Sequence, residues 1–103
     1  MENLWYGIKL TSEDAPAKAL MLIKQATGIT PSNIKAKTSQ NSCFFGCDFE
    51  NDEGLRAINR LYRKLQSIGV ETKLYEDGVE RSIEFFESIE KLHAEIDADN
   101  SPN

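Results

Sequence analysis

The chain has 103 residues with 40% hydrophobic and 28% charged side chains, the length and composition of one soluble globular domain rather than a disordered, fibrous or multidomain protein. Its formal net charge is −5, which argues against a general nucleic-acid binder. No apolar run approaches the roughly 18 residues of a membrane span. The first residues, Met1 to Tyr6, carry no basic start and no long apolar segment, so no signal peptide is expected.

The charge is unevenly spread. Through residue 75 the chain carries ten Lys/Arg and eight Asp/Glu; from residue 76 it carries two and nine. The acidic excess therefore lies in the last quarter, a pattern that marks either a self-solvating helix or a surface for a basic partner.

Leu4–Thr11 is rich in aromatic and aliphatic residues and reads as a first strand, with Tyr6, Ile8 and Leu10 toward the core. Ser12-Glu13-Asp14 offers a cap and Pro16 a first turn for a helix that runs to Ala26, with Ala19, Leu20, Ile23 and Ala26 inward. Gly28 is its stop. Thr30 and Pro31 start a short second helix reaching Thr38. Cys43–Phe49 reads as a second strand with Cys43, Phe45, Cys47 and Phe49 on the buried face. The two cysteines would lie roughly 13 Å apart along such a strand, at about 3.3 Å per residue, beyond the ~7 Å that a disulfide spans. Two core thiols fit a reducing cytoplasm.

Asn51-Asp52-Glu53 caps a third helix, in which Leu55, Ile58, Leu61, Tyr62, Leu65 and Ile68 form one apolar stripe. Gly69 ends it, and Val70–Tyr75 is a third strand with Val70, Thr72 and Leu74 inward. After the turn Glu76-Asp77-Gly78, a long fourth helix is expected over Val79–Ile96, with Val79, Ile83, Phe86, Ile89, Leu92 and Ile96 inward. Residues 97–103 read as a flexible tail. The expected architecture is one α/β (α+β) domain over residues 1–96: a β-α-α-β-α-β layer with a three-stranded sheet, helices on one face, and an added C-terminal helix. That helix packs on its own domain or forms a homodimer seam.

Within this pattern, Ala26-Thr27-Gly28-Ile29 at the end of the first helix, and Ile68-Gly69-Val70-Glu71-Thr72-Lys73-Leu74 at the end of the third, resemble the C-terminal domain of the bacterial ribosomal stalk protein. The resemblance covers roughly Trp5–Tyr75 and extends to the fold of the Clp-protease adaptor. It implies a recruiting module whose second helix contacts a translation factor or a protease. Lys35 and Lys37 are the basic residues this stretch retains, and the stalk family's Gly-aliphatic-Gly-aliphatic turn is replaced here by Ile29-Thr30-Pro31-Ser32.

No phosphate loop, Ser/His/Asp order or metal-ligand spacing is present, so neither an enzyme nor a cofactor is expected. His93 reads as a packed histidine at the edge of the last helix's apolar stripe. Asp48, Glu50, Asp52 and Glu53 cluster at the exit of strand two, where the last two already serve as helix-start acids. Two charged rows remain. Arg56, Arg60 and Arg63 recur along the outer face of the third helix. Glu80, Glu84 and Glu87, joined by Glu95 and by Asp77 in the preceding turn, form an acidic row that can imitate a nucleic-acid backbone and speed association with a cationic partner. The leading expectation is a non-catalytic cytoplasmic immunity or inhibitor protein that blocks the cleft of a basic toxin, such as a nuclease. The alternative is a stalk-like or adaptor-like recruiter acting through Lys35, Lys37, Arg56, Arg60 and Arg63. A third reading is an RNA-binding module that combines the arginine row with stacking by Trp5 or Tyr75.

Overall fold

A computed structural model describes residues 5–12 and 14–99 of the chain, with side chains through Glu95. The elements are β1 (Trp5–Leu10), α1 (Ala17–Thr27), α2 (Pro31–Ser39), β2 (Phe45–Asp48), α3 (Asp52–Ser67), β3 (Thr72–Glu76), β4 (Val79–Arg81) and α4 (Ile83–Asp99). They form a mixed α+β domain. The strands make one sheet in the order β2-β1-β3-β4, and every pairing is antiparallel.

The sheet has four strands, one more than expected. Val79-Glu80-Arg81 is not the first turn of the last helix. It folds back on β3, with Glu76 opposite Val79 and Leu74 opposite Arg81. The cause is the Asp77-Gly78 turn. Asp77 has φ 50° and Gly78 φ 84°, the two positive values that a two-residue hairpin turn needs to match strand twist. The Asp77 amide also donates to the Trp5 carbonyl at 2.7 Å, which holds the turn against β1. The helix then starts at Ser82, whose hydroxyl accepts from the Phe85 amide at 3.1 Å, an N-cap bond.

The core lies between the sheet and the helices. Tyr6, Ile8 and Leu10 of β1 and Leu74 of β3 meet Ala19, Leu20 and Ile23 of α1, Ile34 of α2, and Leu55, Ile58, Leu61 and Leu65 of α3. Ile83 and Phe86 add α4 to the same cluster. The α3 stripe is thus buried as its spacing predicts; Tyr62 and Ile68 are half-buried at its rim. Asn59 also turns inward. Its amide donates to the Phe86 carbonyl at 3.2 Å and to Glu90 Oε1 at 2.9 Å, pinning α3 to α4.

Other corrections are local. Pro16 is itself the cap residue of α1, and among the described residues no side chain caps that end. Ala26 is exposed, while Leu22 is half-buried against the core. The expected Asn51-Asp52-Glu53 start of α3 is present: the Asn51 side chain accepts from the Gly54 amide at 2.9 Å, and Asp52 and Glu53 are the first-turn acids. Leu92 and Val79 are each 53% exposed rather than inward, Val79 because it belongs to an edge strand. Ile96 lies outside the described side chains. The helix continues through residues 97–99, where a tail was expected; residues 100–103 lie outside the described residues.

Strand two departs from simple alternation. The Phe44 amide donates to the Ile8 carbonyl at 3.1 Å, yet it is Phe45 that stands opposite Ile8. Two successive residues address one position of β1, and the chain bends there as at a bulge. Phe44 consequently enters the core at 5% exposure. Phe45 and Cys47 stay on the helix side, half-buried, and Cys43 swings to the opposite face, against Gly7. Phe49 is at the rim, stacked on Tyr6 with ring centroids 5.2 Å apart.

Candidate functional site

All the helices that feed the core approach one face of the sheet, so the other face is open. Alternation in β1 assigns it Trp5, Gly7 and Lys9. Register adds their neighbours: Gly46 and Tyr75 flank Gly7, Asp48 is opposite Trp5, Lys73 is opposite Lys9, and Glu80 is opposite Tyr75.

A cavity of about 540 Å³ opens on this face, within the ~300–1,000 Å³ range of small-ligand sites. Trp5, Tyr75, Lys9, Lys37, Asn41 and Cys43 are among its walls. Gly46 lines it, exposed, and Gly7 is buried beneath the Trp5 indole and Cys43. A Cβ on Gly7 would come within 2.4 Å of Trp5 Cζ3 and 2.7 Å of Cys43 Sγ; one on Gly46 would come within 2.9 Å of the Tyr6 carbonyl oxygen. Trp5 and Cys43 therefore rest where any other residue at position 7 would put a side chain. The indole remains 37% exposed, and the Tyr75 ring is partly open.

The cationic edge of the cavity is held in place. Lys9 Nζ donates to Asn41 Oδ1 at 2.7 Å and lies 5.1 Å from the centre of the Tyr75 ring, a cation–π distance. Asn41 reaches it from the turn after α2 with φ 57°, a conformation asparagine tolerates better than most residues. Lys37, on the last turn of α2, projects from the same side. Cys43 faces this cavity as an unbonded thiol. Burial pushes its titration up, an effect the Lys9 charge partly opposes.

The charged rows expected from the sequence are dispersed. Glu80 lies on β4, 3.8 Å from Lys73, and not on the helix with Glu84 and Glu87. Asp77 is in the hairpin turn. Arg63 reaches across from α3 and grips Glu87 with two bonds, 3.0 Å from Nε and 2.8 Å from Nη2, and lies 3.8 Å from Glu84. The hydrogen bond from Arg63 is the main reason Glu87 titrates below the ordinary carboxylate range. The same bond raises the Arg63 guanidinium. Glu84 keeps 75% of its side-chain surface exposed, and Glu95 is exposed farther along α4. Arg56 and Arg60 are exposed on α3 beside Glu53 and Ala57, and among the described residues neither makes an ion pair. Lys35 is exposed on α2. The arginine row therefore belongs to the helix layer, on the far side of the sheet from Trp5 and Tyr75.

A second cavity, of about 290 Å³, lies between α3 and α4 and is lined by Asp52, Leu55, Arg56, Glu90, His93 and Ala94. His93 Nδ1 is 2.7 Å from Asp52 Oδ1, and the ring meets Phe49 edge-on at 6.3 Å. This bond ties α4 to the first turn of α3. The lining contains no hydroxyl or thiol that the histidine could activate. Burial, followed by Asp48, raises Cys47 to about 11, which keeps it a neutral thiol rather than a nucleophilic thiolate. Among the described residues no three His, Cys, Asp or Glu side chains gather as a metal site, and no helix is long and apolar enough to cross a membrane.

Two features of the site escaped the sequence reading: the part played by the strand glycines Gly7 and Gly46, and the approach of Asn41 and Lys37. Gly7 and Gly46 sit inside strands, which is the available signal for a close approach of another group. Comparison with protein-family models, with curated proteins and with solved structures finds no match to this chain.

Proposed function

We propose that the protein is a non-catalytic binding module that works through the open face of its sheet and takes a partner that is anionic and carries flat groups. The observation that supports this most is the make-up of the cavity: Gly46 leaves part of its lining without a side chain, Gly7 seats the Trp5 indole against the sheet, and two aromatic rings and two lysines border the space. Aromatic faces favour flat groups, and Lys9 and Lys37 favour negative charge. The stalk-like or adaptor-like alternative would act through Lys35, Lys37, Arg56, Arg60 and Arg63, of which only Lys37 lines this cavity.

The test is mapping of amide chemical shifts during titration with polyanions: inorganic polyphosphate, poly-glutamate and a short oligonucleotide. Shifts centred on Trp5, Gly7, Lys9, Gly46 and Tyr75 support the reading. No response on this face to any of the three overturns it.

The acidic module that neutralises a basic toxin is a second reading. It is favoured by the exposure of Glu84 and Glu80, 75% and 57% at the side chain. Arg63 and Lys73 already offset part of that charge, which ranks it behind the open face. Charge reversal separates the two: Glu84→Lys with Glu87→Lys abolishes binding of a basic nuclease in the second reading and leaves the open face unaffected.

A further inference from the structure

We infer that the open-face cavity is a stacking platform for single-stranded RNA, an inference that rests on the proposed use of this face. Single strands are held by aromatic side chains on which unpaired bases stack, together with cations that track the phosphates. β1 and β3 are adjacent strands, and each presents one aromatic residue to the cavity, Trp5 and Tyr75. Gly7 lets the Trp5 indole lie close against β1, and exposed Gly46 in the cavity lining leaves backbone open to a flat base, where a side chain would hold it off. A duplex does not fit this arrangement, because its bases are already stacked and its edges alone are accessible.

Charge complementarity chooses the ligand. The net charge of −5 is a property of the whole chain, and the carboxylates of α4 are carried on the helix side of the sheet. At the cavity the charges are Lys9 and Lys37. Asp48 and Glu80 share the open face but are not part of the cavity lining, and Glu80 is matched by Lys73 at 3.8 Å. The arginine row on α3 faces away and cannot reach a strand lying on Trp5. Asn41 and Ser42 complete the rim. The Ser42 hydroxyl makes only a long bond, 3.4 Å to the Gln40 carbonyl, so it can exchange that contact for a ribose 2′-hydroxyl, the group that separates RNA from DNA.

The chain's single tryptophan lies in the site, so occupancy is read directly. A labelled single-stranded RNA of roughly eight nucleotides, within the usual site size, is titrated against the full chain by anisotropy and by Trp5 quenching. Its DNA counterpart, its annealed duplex, inorganic polyphosphate and poly-glutamate form the other arms. The expected result is Trp5 quenching by the single-stranded RNA, with weaker binding of the DNA and about ten-fold weaker binding of the duplex and of polyphosphate. Tyr75→Ala lowers affinity about ten-fold, from the range of one base stack, and Tyr75→Phe retains it. The affinity falls with salt with a slope of about −1.4, for two phosphate contacts at about −0.7 each on a single strand. Lys9→Ala or Lys37→Ala halves that slope, whereas Arg60→Glu leaves it unchanged. Circular dichroism of each variant confirms folding. Equal binding of polyphosphate or poly-glutamate overturns the RNA assignment while leaving the open face as an anion surface. Equal binding of DNA overturns the role given to the 2′-hydroxyl and with it the assignment to RNA. No binding by any arm overturns both this inference and the proposed function.

Discussion

Substituting Gly7 by alanine tests the central claim about the open face. The added Cβ would stand 2.4 Å from Trp5 Cζ3 and 2.7 Å from Cys43 Sγ, where carbon contacts settle at about 3.5–4.0 Å. The indole must rise by roughly 1 Å or more. Both obstructing atoms are side-chain ends on the open face, so rotation relieves the clash without moving β1. Overpacking costs about 1–3 kcal/mol, and the lower end applies here. Alanine also loses about 0.5–1 kcal/mol less conformational freedom than glycine. The net loss expected is about 0–0.5 kcal/mol, or at most about 2–4 °C in melting temperature for a domain near this size. Gly46→Ala is the comparison. Its Cβ would meet the Tyr6 carbonyl at 2.9 Å, a backbone atom that cannot rotate away, and its cost is about 2–3 kcal/mol. Thermal unfolding gives the two stabilities, and near-ultraviolet dichroism and emission report the indole. Gly7→Ala should change the indole signals, keep the fold and weaken the open-face ligand. If the Trp5 signals are unchanged, or if Gly7→Ala costs more than Gly46→Ala, the indole does not rest on that glycine and the argument for a built cavity fails.

Three further outcomes follow from the core. The Tyr6 hydroxyl is buried without a partner among the described residues, so Tyr6→Phe should stabilise the chain by about 1–2 kcal/mol, seen as a higher urea midpoint; a lower midpoint would reveal a bond to that oxygen. Burial, with Glu76 next, pushes Tyr6 up to about 12 from an ordinary 10.0, and burial pushes Cys47 to about 11 from 9.0. Both raised values favour the protonated native form, so their stabilisation is complete below pH 9 and is lost as pH rises through about 11 and then about 12. Urea midpoints across that range should fall, with Cys47→Ala flattening the earlier part and Tyr6→Phe the later part. Asn59→Asp removes both amide donations to α4 and sets a carboxylate against Glu90; a cost of about 3–5 kcal/mol is expected. Faster hydrogen exchange along α4 should report it, and unchanged α4 protection would show that Asn59 does not pin the helix.

The position of the last helix shows where reading by spacing stops. From Ile83 onward the apolar spacing is helical and the structure agrees. Upstream, Val79-Glu80-Arg81 satisfies helix and strand patterns equally well, because three residues are less than one helical turn. The Asp-Gly pair at 77–78 carried the missing signal, a hairpin turn. Reading through it extended the acidic row to Glu80, which belongs to a different element and faces Lys73. Arg63 was likewise placed in a solvent row of its own. Its side chain is long enough to cross to α4, and partners chosen across elements do not appear in the periodicity of either one.

Residue order alone was sufficient for the inward faces of β1 and α3 and for the Thr30 cap and Pro31 start of α2, because those depend on steric and hydrogen-bond preferences acting within a few positions. It also located the acidic excess in the final quarter. Tertiary structure decided which face of the sheet is covered, that Trp5 and Tyr75 border one cavity with Lys9 and Lys37, and that the arginine row is carried by the opposite layer. Those facts depend on strand register and on how helices pack against the sheet. Register and packing are set by contacts between distant segments, and no local pattern along the chain encodes them.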